Sequence, residues 1–379
     1  MAILLALALT STETGQPPAP ASAPPPIVMN QVGAAPPHLL LLRPGEARCG
    51  GRVEQPAFVE QPSPELVTSG PFAVSSGQAL RLTFRIDRSG RPLSISEPTG
   101  ANAWVIASAR DALPAFATWR FASGAERTDC EVSFGVEFVP VAEASLSDLH
   151  RVLILGQASG APRQAAWNRT LPVGSTCFSP GPSVRMQAFP DWETIPQPPG
   201  TASYSLVGFD IDRSGRPTNV RTAGSSGNTA LDRQSLDAVR RSRFAPEARS
   251  GCTFPYWRRP TQPVAAPAMP AEDTFRASDA TCRRHSEPWA SQPQQVFPPT
   301  LERRRLEGWA VLSYDVAPWG EVGNVRVLAA EPAARFGTHA VNLMRTARQN
   351  PGTGGTGCTY RFRFLLPRGG QRPTAGADD

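Results

Sequence analysis

Three glycines, each flanked by cysteines at a nearly constant distance, constrain this chain more than any other feature. Gly90 and Gly215 sit in two identical heptads, residues 86–92 and 211–217, both reading IDRSGRP. Gly320 takes the same place in VAPWGEVGNVRV, residues 316–327. The preceding cysteines, Cys49, Cys177 and Cys282, lie 41, 38 and 38 residues upstream. The following ones, Cys130, Cys252 and Cys358, lie 40, 37 and 38 residues downstream. Intervals that recur this closely describe one unit used three times. The segments around the heptads, such as LRLTF and SLVGFD before them and LSIS and TNVR after, alternate apolar and polar residues as half-buried strands do. Asp-Arg-Ser-Gly between them has turn chemistry, with the Asp side chain bonding backbone ahead and the Gly taking a positive φ. Each glycine therefore marks the tip of a β-hairpin.

The cysteines carry the second constraint. A zinc site needs ligands in closely spaced pairs, and the chain holds no CxxC, while the CxxH of Cys282 and His285 has no second half nearby. Redox chemistry also needs a close pair. The remaining reading is structural disulfides, Cys49–Cys130, Cys177–Cys252 and Cys282–Cys358, one per unit. Closing loops of this length is worth about 4 kcal/mol each in the loop-entropy picture, which matters for cores this small. It also places the chain in an oxidising compartment.

Within a unit the order is strand, strand, helix, strand. In the second, Thr229 and Asp232 give a T-x-x-D start to a helix whose inward stripe is Leu231, Leu236 and Val239. In the third, Phe336, Ala340, Leu343, Met344 and Ala347 form the stripe, and Pro351 lies beyond it. In the first, Pro114 interrupts the helical region. The chain's 41 prolines and 32 glycines argue against long helices. The expected class is α+β: three tandem small domains, each a three-stranded antiparallel sheet with a helix (ββαβ), over residues 46–140, 175–262 and 282–368. Between them run two Pro/Ala-rich linkers, 141–174 and 263–281. A lead of 1–45 and a disordered tail of 369–379 complete the chain.

The second unit resembles the C-terminal domain of TonB-type energy transducers. The likeness is carried by DIDRSGRP, SSGNTALDRQSLDAVRRSRFAP and the SGC before the last strand, and in the third unit by VFPP and Gly308. The resemblance implies a protein-binding module that pairs, by strand addition, with an extended segment of an outer-membrane receptor. The last strand of each unit reads as an open edge; in the second unit it gives Thr253, Phe254, Tyr256 and Trp257 as the expected partner-binding residues, with Tyr256 and Trp257 as aromatic anchors or else as rings that cover the helix. Three differences separate the chain from a typical transducer. It has three units where the family has one. Its opening apolar run, residues 2–9, is far short of the ~20 residues a spanning helix needs. Its Pro-rich stretch, 17–26, is too short to cross a periplasm at ~3.1 Å per residue.

The expected function is periplasmic protein binding, with envelope proteins and TonB-dependent outer-membrane receptors as partners. A transducer whose true start lies upstream is the alternative, and an enzyme a remote one. Residues 2–9 suit a secretory segment, and membrane anchoring is not expected from this start. No cofactor and no metal are expected. His38, His150, His285 and His339 are scattered, and no nucleophile–base constellation repeats between the units. All 38 basic residues are Arg, spread along the chain with a net charge of +6. Nucleic acid is not an expected partner. The clusters Arg240-Arg241-Ser242-Arg243 and Arg303-Arg304-Arg305 read as solvated faces, or else as contacts with an acidic partner.

Overall fold

In the first third, the hairpin flanking Gly90 is β5 (Ala79–Ile86) and β6 (Pro92–Ser96). It belongs to a larger sheet than three strands. Before it come β1 (Pro37–Cys49), β2 (Arg52–Glu54), β3 (Pro56–Phe58) and β4 (Glu65–Thr68). After it come a short helix α1 (Ala112–Ala117), β7 (Arg120–Phe121) and the long β8 (Arg127–Pro140). The order is β2-β1-β8-β5-β6, with β4 also on β1. The computed structural model from which this is read describes residues 36–68, 79–97, 110–156, 159–282 and 289–367. The export-type segment, His285 and the 369–379 tail lie outside those residues.

The expected three-stranded sheet thus gains β1, whose residues 37–45 were read as part of the lead. The run Leu39–Leu42 explains why β1 stays in place. Leu40 and Leu42 join the main core, while Leu39 and Leu41 face the opposite side. A strand buried on both faces reads as a continuous apolar run and not as an alternation. What covers the second face is the stretch 141–174, expected to be a linker. It carries α2 (Leu146–Leu155) and α3 (Gly160–Thr170). Leu149, Val152, Leu153 and Ala166 pack against Leu39 and Leu41. Ser145 caps α2, its side chain accepting from the Asp148 amide. In α1, all six residues are buried, and Pro114 sits early enough in the helix to be tolerated.

The middle third has β9 (Val184–Met186), β10 (Ser203–Ile211), β11 (Pro217–Ser225), α4 (Thr229–Arg241), β12 (Arg243–Phe244) and β13 (Arg249–Arg258). Its sheet is β11-β10-β13, antiparallel throughout. Leu231 and Val239 are buried as expected, and Leu236 half-buried. The helix cap differs. Asn228 accepts from the Leu231 amide, and Asp232 instead accepts from Ser225 Oγ.

The last third repeats this arrangement in β14 (Trp289–Ser291), α5 (Pro299–Glu302), β15 (Gly308–Val316), β16 (Val322–Glu331), α6 (Ala334–Met344), β17 (Arg348–Gln349) and β18 (Gly355–Phe364). Its sheet is β16-β15-β18. Phe336, Ala340 and Met344 are fully buried. Residues 263–281, also read as a linker, hold a 3-10 turn, and Val264 is buried and bridged to Leu306.

One contact recurs at every hairpin tip. Gly90, Gly215 and Gly320 have φ of 82°, 81° and 87°. Each carbonyl accepts from the short strand after the helix: from the amides of Phe121, Phe244 and Gln349. A Cβ at these glycines would stand 2.0, 2.2 and 2.0 Å from the carbonyl oxygens of those three residues. Chirality and space both demand glycine there.

The first and last thirds share one core, Leu82, Phe116 and Phe134 lying in the same cluster as Phe336, Met344 and Phe362. The Ile95 amide donates to Pro332 O at 2.9 Å, and Glu331 accepts from Ser94 N, Ser94 Oγ and Arg85. Arg335 pairs with Glu97.

Candidate docking edges and the junction between them

Three strands follow the helix of their third and close its sheet: β8, β13 and β18. Their outer edges differ. β8 pairs with β5 on one side and with β1 on the other, from His38 opposite Pro140 to Cys49 opposite Cys130. Among the described residues, β13 pairs with β10 alone, and β18 with β15 alone. An extended segment of this chain thus occupies one of three comparable edges, running antiparallel to it.

The ends of the β13 edge are fastened. Thr176 N donates to Ser250 O at 3.0 Å, and Gln197 Nε2 donates to Arg259 O at 3.1 Å. Between them lies the stretch 253–257. Pro255 brings no N–H, as suits an edge strand. The four expected partner-binding residues divide by the pleat. Tyr256 is buried, its hydroxyl donating to Ala188 O at 3.0 Å, and Phe254 packs edge-on against it, half-buried. Burial pushes the Tyr256 phenol up, against the lowering pull of the Ser242 hydroxyl and the Arg241 charge. Tyr256 is therefore a core residue of its sheet and not an exposed anchor. Trp257 points the other way and is 48% exposed, and Thr253 is half-exposed.

All six expected cysteines are bonded as Cys49–Cys130, Cys177–Cys252 and Cys282–Cys358. The first joins residues directly opposite each other, so it ties β1 to β8 covalently.

Two features were missed in the sequence. The first is a carboxylate at the bulge of each matched sheet. Asp210 accepts from Asn219 at 2.7 Å and from the Gly251 amide at 2.8 Å; Asp315 accepts from Asn324 at 2.7 Å and from the Gly357 amide at 2.9 Å. These hydrogen bonds hold both carboxyls below the usual range. The signal was available as D-x8-N around each hairpin. In the first third Arg85 and Ser94 stand at these places and turn to Glu331 instead.

The second is Arg304, read as part of a solvated cluster. It is 4% exposed. It pairs with Asp111 and, at 2.6 Å, with Glu60, and donates to Gln61 O at 3.2 Å. Burial opposes both charges, but the pairing outweighs it, holding Asp111 below and Arg304 above their ordinary values. Gly200 O, 3.5 Å away, brings the middle third to the same point. Next to this hub opens a cleft of about 280 Å³, walled by residues 63–66, the last turn of α2, Trp257, Arg259, Arg110 and Arg303.

Among the described residues, no group of three or more His, Cys, Asp or Glu side chains is placed to hold a metal ion. None of their helices is long and apolar enough to cross a membrane.

The middle and last sheets share one design: three antiparallel strands backed by a helix, with a last strand that pairs on one side only among the described residues. Residues 200–258 and 293–367, which contain the middle and last sheets, match the model of the family described as Gram-negative bacterial TonB protein C-terminal. The chain carries the TonB C-terminal domain in those segments. It is similar to Protein TonB of Klebsiella pneumoniae, 34% identical over 114 residues, which is 28% of this chain and 47% of that protein. To Protein TonB of Escherichia coli K12 it is 36% identical over 76 residues, 20% and 32% of the two chains. To that of Salmonella typhimurium it is 31% identical over 121 residues, 29% and 50%. The matches therefore span a third to a half of these relatives.

Proposed function

We propose that this is a non-catalytic, TonB-like docking protein of the periplasm, built from three copies of one ββαβ module. The second and third copies take up extended segments of outer-membrane receptors by strand addition. The observation that carries this reading is β1 on β8. The chain's own segment already lies as an added strand on the last strand of the first module, while among the described residues β13 and β18 pair with a strand on one side only. Backbone hydrogen bonds supply affinity in such pairing, and alternate side chains supply selectivity. The three disulfides support an oxidising compartment. Energy transduction needs coupling to a motor as well; the likeness to Protein TonB supports the docking half of that work.

Photo-crosslinking tests the reading. A benzophenone side chain is placed at Thr253, Thr359 or Glu131, the residue after the second cysteine of each module. Crosslinks to an outer-membrane receptor from positions 253 and 359 and none from 131 are expected. Equal yield from 131, or receptor-free crosslinks from the other two, contradicts it.

A further inference from the structure

The cluster Arg240-Arg241-Ser242-Arg243, which strand docking leaves unused, meets a second segment in the fold. β9 runs beside β12, with Met186 opposite Arg243 and Val184 opposite Phe244. The Ala188 amide donates to Ser242 Oγ at 3.1 Å, and Arg241 Nη2 donates to Phe189 O at 3.1 Å. The end of α4 and residues 184–189 therefore form one surface.

That surface is at once apolar and basic. Val184, Met186 and Phe189 are 49%, 50% and 56% exposed. The Phe189 ring is seated edge-on against Tyr256, their centroids 6.4 Å apart, which fixes where its exposed part lies. Arg185, between Val184 and Met186, is exposed, as are Arg240 and Arg241, and Arg243 is half-buried. Arg240 pairs with Asp237 at 2.8 Å. Arg241 and Arg243 donate to backbone carbonyls, those of Asp237 and Phe189 and those of Arg240 and Ser242. Such bonds occupy donors without cancelling charge.

The last module folds without this surface. Its β14 pairs with β17 in the same way, Ser291 standing opposite Arg348 as Met186 stands opposite Arg243. Ala290, Gln294 and Thr346 take the places of Arg185, Phe189 and Arg241. Trp289, in the place of Val184, packs on Tyr314 and Tyr360. Residues 184–189 also precede the segment 200–258 that matches the TonB family. The patch is therefore an addition to the module and not a requirement of its fold.

We propose that this surface is a peripheral membrane contact, lying against a bilayer that carries acidic phospholipid. Val184, Met186 and Phe189 enter the boundary between headgroups and acyl chains, and Arg185, Arg240, Arg241 and Arg243 take the lipid phosphates. Exposed apolar side chains rimmed by cations mark interaction surfaces, and a bilayer interface accepts both kinds of side chain at once. The guanidinium fork fits a phosphate, and each cation near an anionic leaflet adds to the attraction. A soluble acidic polymer would engage the arginines and leave the three apolar side chains in water. A contact of this kind needs no spanning helix.

Sedimentation of the full chain with lipid vesicles tests the proposal. At low salt, binding to mixed phosphatidylcholine–phosphatidylglycerol vesicles is expected to be about tenfold tighter than to phosphatidylcholine alone, a gap that shrinks as salt rises. R185Q/R241Q should weaken binding to the mixed vesicles about tenfold, and M186S/F189S should weaken it as well. R185K/R241K keeps both charges and should bind like the native chain, which also reports that these exposed positions tolerate substitution. Equal binding to both vesicle types, or none to either, overturns the proposal. Full binding by R185Q/R241Q overturns the assignment to this surface. Full binding by M186S/F189S, together with displacement by soluble polyglutamate, points to an acidic polypeptide partner and overturns the membrane contact.

Discussion

Tyr256 and Trp257 are neighbours with opposite fates, and the pleat decides which. Tyr256 lies opposite Ser205 and points to the α4 side, into a core with Val207, Val239 and Phe254. Trp257 lies opposite Tyr204 and points to the α2 side, where its ring stays 48% exposed. Tyr256→Ala should therefore cost about 3–5 kcal/mol of stability, and Trp257→Ala less than about 1 kcal/mol, both read from urea midpoints. Similar losses for the two would contradict the assigned faces. The sequence shows two adjacent aromatics on a strand, but not which faces the helix, because that depends on where the bulge near Phe209 resets the register. The turn glycines were legible because their demand is local: a positive φ within an alternating flank. The reason they cannot carry a side chain, the carbonyls of Phe121, Phe244 and Gln349, is set by the fold some thirty residues on. Arg304 was illegible for the same reason. Its partners, Glu60 and Asp111, lie 244 and 193 residues away, and a triple-arginine run gives no hint of them.

Among elements, β1 and α2 depart furthest from the expected organisation. A Leu run next to a Pro-rich lead resembles an export segment more than a strand, and its burial is visible only once α2 and α3 cover it. α2 in turn packs across β10 and β11, and its His150 sits against Gly224, where an added Cβ would lie 2.7 Å from Nδ1. His150 is buried, its Nδ1 has no hydrogen-bond partner, and burial pushes its pKa below the ordinary 6.5. The unfolded chain thus takes up this proton before the folded one does. The docking of α2 is fully stable above pH 6.5 and weakens as pH falls below it. Thermal melts from pH 7.5 down to about 5.5 should show this loss in the native protein and a smaller one in His150→Gln. Parallel declines in both proteins would remove His150 as the cause. The bulge carboxylates Asp210 and Asp315 act in the same direction at lower pH, their stability present above 3.8 and lost only as pH drops below it.

At the scale of the molecule, the expected string of tethered domains gives way to joined ones. Ile95 reaches Pro332, Glu331 reaches Arg85 and Ser94, and Arg304 gathers Glu60, Asp111 and the Gly200 carbonyl. Avidity from independently mobile modules is therefore not what this arrangement offers; the β13 and β18 edges are held in a fixed relation. Arg304→Met leaves two buried carboxylates unpaired and should cost about 3–5 kcal/mol. Combining it with Asp111→Asn and Glu60→Gln should recover much of that loss in a denaturant titration. A single-variant loss below about 1 kcal/mol would show that the hub does not hold the thirds together.

The account stands on one asymmetry among the described residues: a β8 paired by strands on both sides, and a β13 and β18 paired by a strand on one side only. Amide hydrogen exchange of the free protein measures it directly. The account predicts slow exchange along the whole of β8 opposite β1, including both alternating sets of amides. Along 253–257 and the middle of β18 it predicts one slow set, turned to β10 or β15, and one fast set, turned outward. Uniform protection on β13 and β18, or a fast alternating set on β8, would contradict it.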